Sequence, residues 1–199
     1  MDGDRSYRKD EASEGRRGLG RWRRRKGRGA LVEYLVIIAV AFVLVFGFIR
    51  PFVVKSFWIP SESMVPTLEV GDRLFVNRFI YRFTEPHRGD IVVFDSPESD
   101  DELIKRVVAV PGDRVRVANG VLKLNGEVQQ EPYVKPQFPD GSVYGPTRVP
   151  EGEVFVMGDN RGNSRDSRFI GPIPIDSIQG EAFFRFWPPS RIGLLGEDQ

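Results

Sequence analysis

The chain contains no cysteine and only one histidine in 199 residues, and each scarcity removes a class of chemistry. Without a thiol there is no cysteine nucleophile, no disulfide framework and no thiolate zinc site. A single histidine cannot build a multi-histidine metal centre, and no metal or cofactor is expected. His87 could in principle serve a Ser-His-Asp triad. It stands in Glu85-Pro86-His87-Arg88-Gly89-Asp90, a turn-like stretch in which a solvated loop histidine is the simpler reading. Arg88-Gly89-Asp90 resembles an adhesion tripeptide but reads more simply as a turn leading into a strand. Also missing, after residue 60, is any sustained helical period of apolar residues.

Charge of one sign is scarce only locally. Residues 1–29 carry eleven Lys/Arg against five Asp/Glu, which leaves 18 against 23 for the rest, so a net charge of +1 hides two oppositely charged parts. The basic part lacks periodicity and is rich in Gly and Arg, which predicts a largely disordered tail. Next to an apolar run, such a tail fits contact with anionic lipid better than nucleic-acid binding, and no nucleic-acid partner is expected.

The apolar run is ALVEYLVIIAVAFVLVFGFI, Ala30 to Ile49, with Glu33 its one charge. As a helix at about 1.5 Å per residue it would span a hydrocarbon core of about 30 Å. From Leu35 to Ile49 it has no polar face to show water, which argues against a buried core helix. Glu33 would lie at headgroup level. The cluster Arg21-Trp22-Arg23-Arg24-Arg25-Lys26-Gly27-Arg28 precedes it, so the positive-inside rule keeps the tail cytoplasmic and places everything after the run outside. Phe48-Ile49-Arg50-Pro51-Phe52 offers no small-x-small cleavage site, which favours an uncleaved signal anchor over a cleaved signal peptide. The expected organisation is a tail over 1–29, a single-pass anchor over 30–50 and an outer domain over 51–199.

The outer domain reads as mainly β. Strand-like runs occur at 72–77, 91–94, 103–110, 114–117, 121–124 and 153–157, and Asn119-Gly120 and Asn125-Gly126 are hairpin signals. Pro132 to Pro150, rich in Pro, Gly and Tyr, is expected to be an irregular loop or part of a small inserted β subdomain covering roughly 114–152. No internal repeat is visible.

Chemistry is suggested by Pro60-Ser61-Glu62-Ser63-Met64-Val65-Pro66-Thr67-Leu68 and, some forty residues later, Leu103-Ile104-Lys105-Arg106-Val107-Val108. A serine hydroxyl becomes a useful nucleophile when a base takes its proton, and a lysine can be that base when desolvation lowers its pKa. Lys105 lies among apolar neighbours, as that role requires. A plain turn or helix N-cap would also account for the serines, and a solvated strand pair for Lys105-Arg106. Strand alternation nevertheless sends Lys105 and Arg106 to opposite faces, so one must point inward or toward a cleft. Gly158-Asp159-Asn160-Arg161-Gly162-Asn163-Ser164-Arg165-Asp166-Ser167-Arg168 has too many arginines for a calcium loop and suits an internally ion-paired loop.

In order, SESMVPTL, RGDIVVF, IKRVVAVPGD and GDNRGNSRDSR resemble the motifs of the bacterial type I signal peptidases, membrane-anchored serine peptidases with a Ser/Lys dyad. The resemblance covers the anchor and most of residues 55–175. It implies that Ser63 is the nucleophile and Lys105 the general base, with Ser61 and the Ser63 N–H forming the oxyanion hole. Ser164 would orient the lysine amine, Asp159 would pair with Arg106, and Asp166 with Arg168 would brace the loop. Phe57, Ile59, Met64, Leu68, Leu74, Val93, Leu103 and Ile104 correspond to shallow pockets for the first and third residues before the scissile bond, where small side chains fit. Core packing is the competing account of these apolar positions, and for Val93 and Leu68 an almost equal one. Glu62 stands where many members have glycine, and Gly162 where many have aspartate.

The resemblance implies exported preproteins with Ala-x-Ala-like signal-peptide ends as substrates, bound extended against a strand edge. It also implies a bacterial plasma-membrane location, and the position of Phe52, Phe57 and Trp58 just after the apolar run would let the catalytic face dip into the bilayer surface. A membrane-tethered module that binds extended peptides without cleaving them is the alternative. A soluble self-cleaving repressor would share the dyad, but it would have a helix-turn-helix and no apolar span.

Overall fold

The structure, a computed structural model, describes residues 23–44, 47, 54–134 and 143–196. It divides into two units, Met1–Gly47 and Phe48–Gln199. In the first, helix α1 runs Arg23–Val43 and so begins inside the basic stretch expected to be disordered. Its described apolar side chains, Leu31 to Val43, are exposed. Among the described residues no helix is long and apolar enough to cross a membrane. The reason lies in the boundaries: α1 spends its first seven residues on RRRKGRG, while part of the apolar run expected to span, including Phe48 and Ile49, falls outside the described residues. The segment of α1 from Ala30 onward extends only about 21 Å at the usual rise.

The second unit is mainly β, with twelve strands among the described residues, paired antiparallel throughout. They are β1 Val54–Trp58, β2 Arg73–Asn77, β3 Ile91–Asp95, β4 Glu102–Ala109, β5 Arg114–Ala118, β6 Val121–Leu124, β7 Glu127–Val128, β8 Val143–Arg148, β9 Glu153–Met157, β10 Ile173–Pro174, β11 Ile178–Trp187 and β12 Gly193–Leu194. One sheet has the order β1-β2-β11-β3-β4-β9-β10 with β12 on β11, and the other β7-β6-β5-β8. A four-residue helix, α2 (Ser167–Ile170), follows β9.

Local chemistry explains the small sheet. Asn119 and Gly120 have φ of 52° and 77°, and Asn125 and Gly126 have 54° and 97°. Positive φ at both central residues is what a tight hairpin between right-twisted strands requires. Within the stretch 132–150 expected to be irregular, Val143–Arg148 forms β8 and pairs with β5; residues 135–142 lie outside the described residues. Pro146 is tolerated there because β8 is an edge strand whose ladder shifts register opposite Val115–Val117.

Strand β11 did not stand out in the sequence, although it joins β2, β3 and β12. Its register shifts between Ile178 and Gly180, Ala182 and Phe184, and Arg185 and Trp187. Each irregularity breaks the period-two alternation on which strand reading depends. The core forms three clusters. The first joins Ile59, Met64, Leu68, Leu74, Val76, Ile91, Val93 and Ile104 with Ala182 and Leu195. The second lies under the small sheet around Val115, Leu122 and Phe155, and the third holds Val92, Phe94, Val107, Val154, Val156 and Ile173.

Candidate active site

The loop after β1 carries the serines. Its backbone closes a turn, Leu68 N–H donating to Met64 O at 2.9 Å and Val65 N–H to Glu62 O at 3.1 Å. Met64 and Leu68, one helical turn apart, are fully buried in the first core cluster. They anchor the loop from below. Arg185 on β11 holds its far end, donating from Nη1 to Thr67 O at 2.7 Å.

Strand β4 brings in the lysine. Lys105 Nζ donates to Ser63 Oγ and to Ile104 O, each at 2.9 Å, and only 7% of Ser63 and 3% of Lys105 remain exposed. Loss of water pushes the lysine pKa down to about 8, with the carboxylates of Asp166 and Asp159 pulling weakly the other way. Arg106, the next residue, is also fully buried. Both faces of β4 are therefore covered here, where alternation alone required only one residue to turn inward.

Arg106 is satisfied by a dense set of partners. Its Nε and Nη2 donate to Asp159 Oδ1 and Oδ2 at 3.0 and 2.8 Å, Nη1 donates to Gly89 O at 3.0 Å, and the guanidinium lies 4.0 Å over the Tyr133 ring. Thr67 Oγ1 donates to Asp159 Oδ2 at 2.5 Å, linking this pair to the serine loop. A buried ion pair survives desolvation only when its remaining hydrogen-bonding capacity is met in this way.

Residues 158–168 fold over the dyad. Asp166 caps α2, accepting from Arg168 N–H at 3.2 Å and Arg168 Nε at 2.9 Å on Oδ1. Its Oδ2 accepts from Arg168 Nη2 and from Gly158 N–H, each at 3.0 Å. Arg161 makes a two-bond pair with Glu131, at 2.8 and 2.6 Å, and donates from Nε to Gly158 O at 3.1 Å. Asn160 reaches the serine loop directly: its N–H donates to Ser63 O and its Nδ2 to Glu62 O, each at 3.0 Å. Gly158 has no room for a side chain, since a Cβ there would press on Ser164 and on the Ser63 carbonyl. Glu62 is exposed, with Asn163 Nδ2 3.4 Å from Oε2, and Gly162 lies on the exposed side of a 3₁₀ turn.

The remaining positions divide. Ser61 Oγ lies 3.4 Å from Ser63 Oγ, at the exposed lip of the site. Ser164 Oγ packs next to Gly158 and, among the described residues, is the one buried side-chain polar atom with no hydrogen-bond partner. Lys105 thus bonds to Ser63 and Ile104 and not to Ser164. Ile59, Met64, Leu68, Leu74, Val93 and Ile104 come together in one cluster with Phe57 against it, but Leu103 joins a different one. Met64, Leu68 and Leu74 are wholly enclosed, while Phe57 is half-buried and Ile104 is 9% exposed.

Asn160, Thr67, Glu131, Arg161, Tyr133 and Arg185 were not singled out from sequence. Asn160 and Arg161 lay inside a recognised motif, but their partners sit 98 and 30 residues away. A cleft of about 1260 Å³ lies elsewhere, lined by Arg78, Tyr81, Glu151 and Asp176 among others, and contains neither Ser63 nor Lys105. Among the described residues no group of three or more histidine, thiol or carboxylate side chains could hold a metal ion.

The family model described as "Signal peptidase, peptidase S26" matches residues 31–187. A signal peptidase I of Leptolyngbya laminosa is 44% identical over 179 residues, covering 86% of this chain and 87% of that protein. A signal peptidase I of Bacillus caldolyticus is 38% identical over 178 residues, covering 83% and 94%. A crystal structure of a signal peptidase I from Enterococcus faecalis V583 aligns with a TM-score of 0.44 at 31% identity, over 49% of this chain and 97% of that one.

Proposed function

The chain belongs to the signal peptidases of family S26 and is a peptidase that removes signal peptides, and we propose that it does so with Ser63 as nucleophile and Lys105 as general base. The observation that carries this assignment is the 2.9 Å contact between Lys105 Nζ and Ser63 Oγ, two residues 42 apart in sequence, both almost out of water.

Lys105, neutral, takes the proton of Ser63 Oγ as that oxygen attacks the carbonyl carbon of the scissile peptide. Negative charge develops on the carbonyl oxygen, and Ser61 with the Ser63 N–H is directed at it. The lysine ammonium returns its proton to the departing amine, leaving Ser63 acylated. A water that gives its proton to Lys105 then releases the acyl group and regenerates the serine. Ser164 steadies the lysine amine during these transfers, its vacant hydroxyl valence supporting that role.

Substrates are exported preproteins whose signal peptides end in small-x-small sequences. The first and third residues before the scissile bond rest against the accessible parts of Phe57 and Ile104, where little space remains beside the packed core. Residues 30–50 anchor the enzyme in the plasma membrane as a single span with the catalytic domain outside, and the basic tail contacts anionic lipid.

The deciding experiment compares cleavage of a purified preprotein carrying an Ala-x-Ala site by wild type, Ser63→Ala, Lys105→Ala and Lys105→Arg in detergent. Arginine keeps its proton throughout the working range, so all three variants are expected to lose turnover while keeping the wild-type circular dichroism. Wild-type-like cleavage by Lys105→Arg would overturn the lysine assignment. Binding without cleavage by wild type would favour the peptide-binding alternative.

A further inference from the structure

Lys55 and Glu102 tie together two strands that are not neighbours in the sheet. Lys55 Nζ donates to Glu102 Oε1 at 2.7 Å, with both side chains partly in solvent. Among the described residues β1 pairs only with β2, at the end of the sheet. Strand β4 pairs with β3 over Glu102–Arg106 but meets β9 only from Arg106 onward. Among the described residues Glu102 to Lys105 therefore has an open edge on one side. The segment from β1 to Ser63 and the segment from Glu102 to Lys105 are thus joined at two points, by the dyad and by this ion pair.

The spacing on both strands matches that of an extended peptide. Lys55 precedes Phe57 by two residues and Glu102 precedes Ile104 by two, so each charged residue shares a strand face with the apolar residue nearer the dyad. The Lys55 ammonium also lies 4.4 Å over the Phe57 ring. Glu102 is three residues, about 10 Å, from Lys105 along the strand. In a peptide bound extended, the first, third and fifth residues before the scissile bond point the same way. With the first and third against Phe57 and Ile104, the fifth meets the ion pair.

We propose that Lys55 and Glu102 form a charge-reading subsite for the fifth residue before the scissile bond, in which an acidic side chain takes Lys55, a basic one takes Glu102, and the other member of the pair is released. This rests on the Ser63/Lys105 reading and adds to it a reason for substrate choice away from the cleaved bond. An exposed ion pair is held weakly enough to exchange partners.

The test measures kcat/KM of the full-length enzyme in detergent on three peptides that share an Ala-x-Ala site and carry Asp, Asn or Lys at the fifth position before the cut. Wild type is expected to treat Asp and Lys alike. Glu102→Gln, which frees Lys55, should favour Asp over Lys by about two- to five-fold, and Lys55→Gln should favour Lys over Asp to a similar degree. The exchanged variant Lys55→Glu/Glu102→Lys should restore the even ratio. Moving the charge to the second position before the cut should erase all these differences. Equal Asp/Lys ratios in wild type and both single variants, with all three enzymes cleaving, would overturn the subsite and leave the dyad standing. No cleavage of any peptide by wild type would overturn both.

Discussion

Asn160 holds Ser63 by its main chain: the Asn160 N–H donates to the Ser63 carbonyl oxygen at 3.0 Å, while its side-chain amide holds the carbonyl of Glu62. The residue that carries the hydroxyl is thus located from two directions, from below by Met64 and Leu68 in the core and from above by the 158–168 loop. Loop stability and nucleophile position are therefore one structural problem in this protein.

Activity should rise with pH through the lysine's titration. Burial lowers the Lys105 pKa from the usual 10.5 to about 8, and the neutral amine is the working form, so kcat/KM should climb as pH passes about 8 and level off above it. At pH 7 only about one lysine in ten would be neutral. The same shift acts on stability. Between about 8 and 10.5 the unfolded chain holds a proton that the native lysine has lost, so this group makes the fold more stable as pH rises through that window. A pH–rate profile on one preprotein checks the first point, and a flat profile across pH 6–10 would contradict it.

Gly158→Ala should impair activity and stability together, by comparable free energies. The added methyl would meet Ser164 and the Ser63 carbonyl, and the close-packed loop can accommodate it only by moving the nucleophile. Overpacking of this kind costs about 1–3 kcal/mol, and a shift of about 1 Å in a reacting group costs on the order of 100-fold in rate. Kinetics and thermal unfolding on the same preparation give both numbers.

Ser164→Ala separates packing from chemistry. The hydroxyl is buried without a hydrogen-bond partner, so removing it should leave the melting temperature unchanged or slightly raised, since an unsatisfied buried polar atom carries a penalty of about 1–3 kcal/mol. If the hydroxyl steadies Lys105 during proton transfer, kcat should fall by at least about tenfold. Unchanged kcat would remove Ser164 from the mechanism.

Glu131→Gln should loosen the loop from outside. Glu131 and Arg161 retain only 8% and 3% side-chain exposure, and removing one charge of such a pair strands the other at a cost of about 3–5 kcal/mol. The expected result is a melting temperature lower by several degrees and faster proteolysis within residues 158–168. An unchanged melting temperature would mean that the Glu131–Arg161 pair contributes nothing to holding the loop.

Six of the strands, both Asn-Gly hairpins and the mainly β character could be read in the sequence because they rest on short-range physics: alternation, positive-φ residues and the absence of helical periodicity. Strand β11 escaped because bulges at Gly180, Ala182–Phe184 and Arg185–Trp187 break its alternation. Strand β8 escaped because its Gly145-Pro146 reads as a loop until β5 is present to pair with it. Leu103 and Ile104, adjacent on β4, face opposite ways and pack against different clusters, a division that only the sheet's two covered faces make visible.

By itself the sequence determined which groups were available: a serine loop with apolar side chains at Met64 and Leu68, a lysine among apolar neighbours, and an arginine-rich loop with its own carboxylates. It also determined their order along the chain. Only the tertiary structure decided that Ser63 and Lys105, 42 residues apart, meet at 2.9 Å, that Glu131 reaches Arg161, and that Asn160 holds the Ser63 carbonyl. The physical reason is that the lysine's lowered pKa and the loop's ion pairs depend on the exclusion of water. That exclusion belongs to the packed strands and loop together, not to any residue's immediate neighbours in the chain.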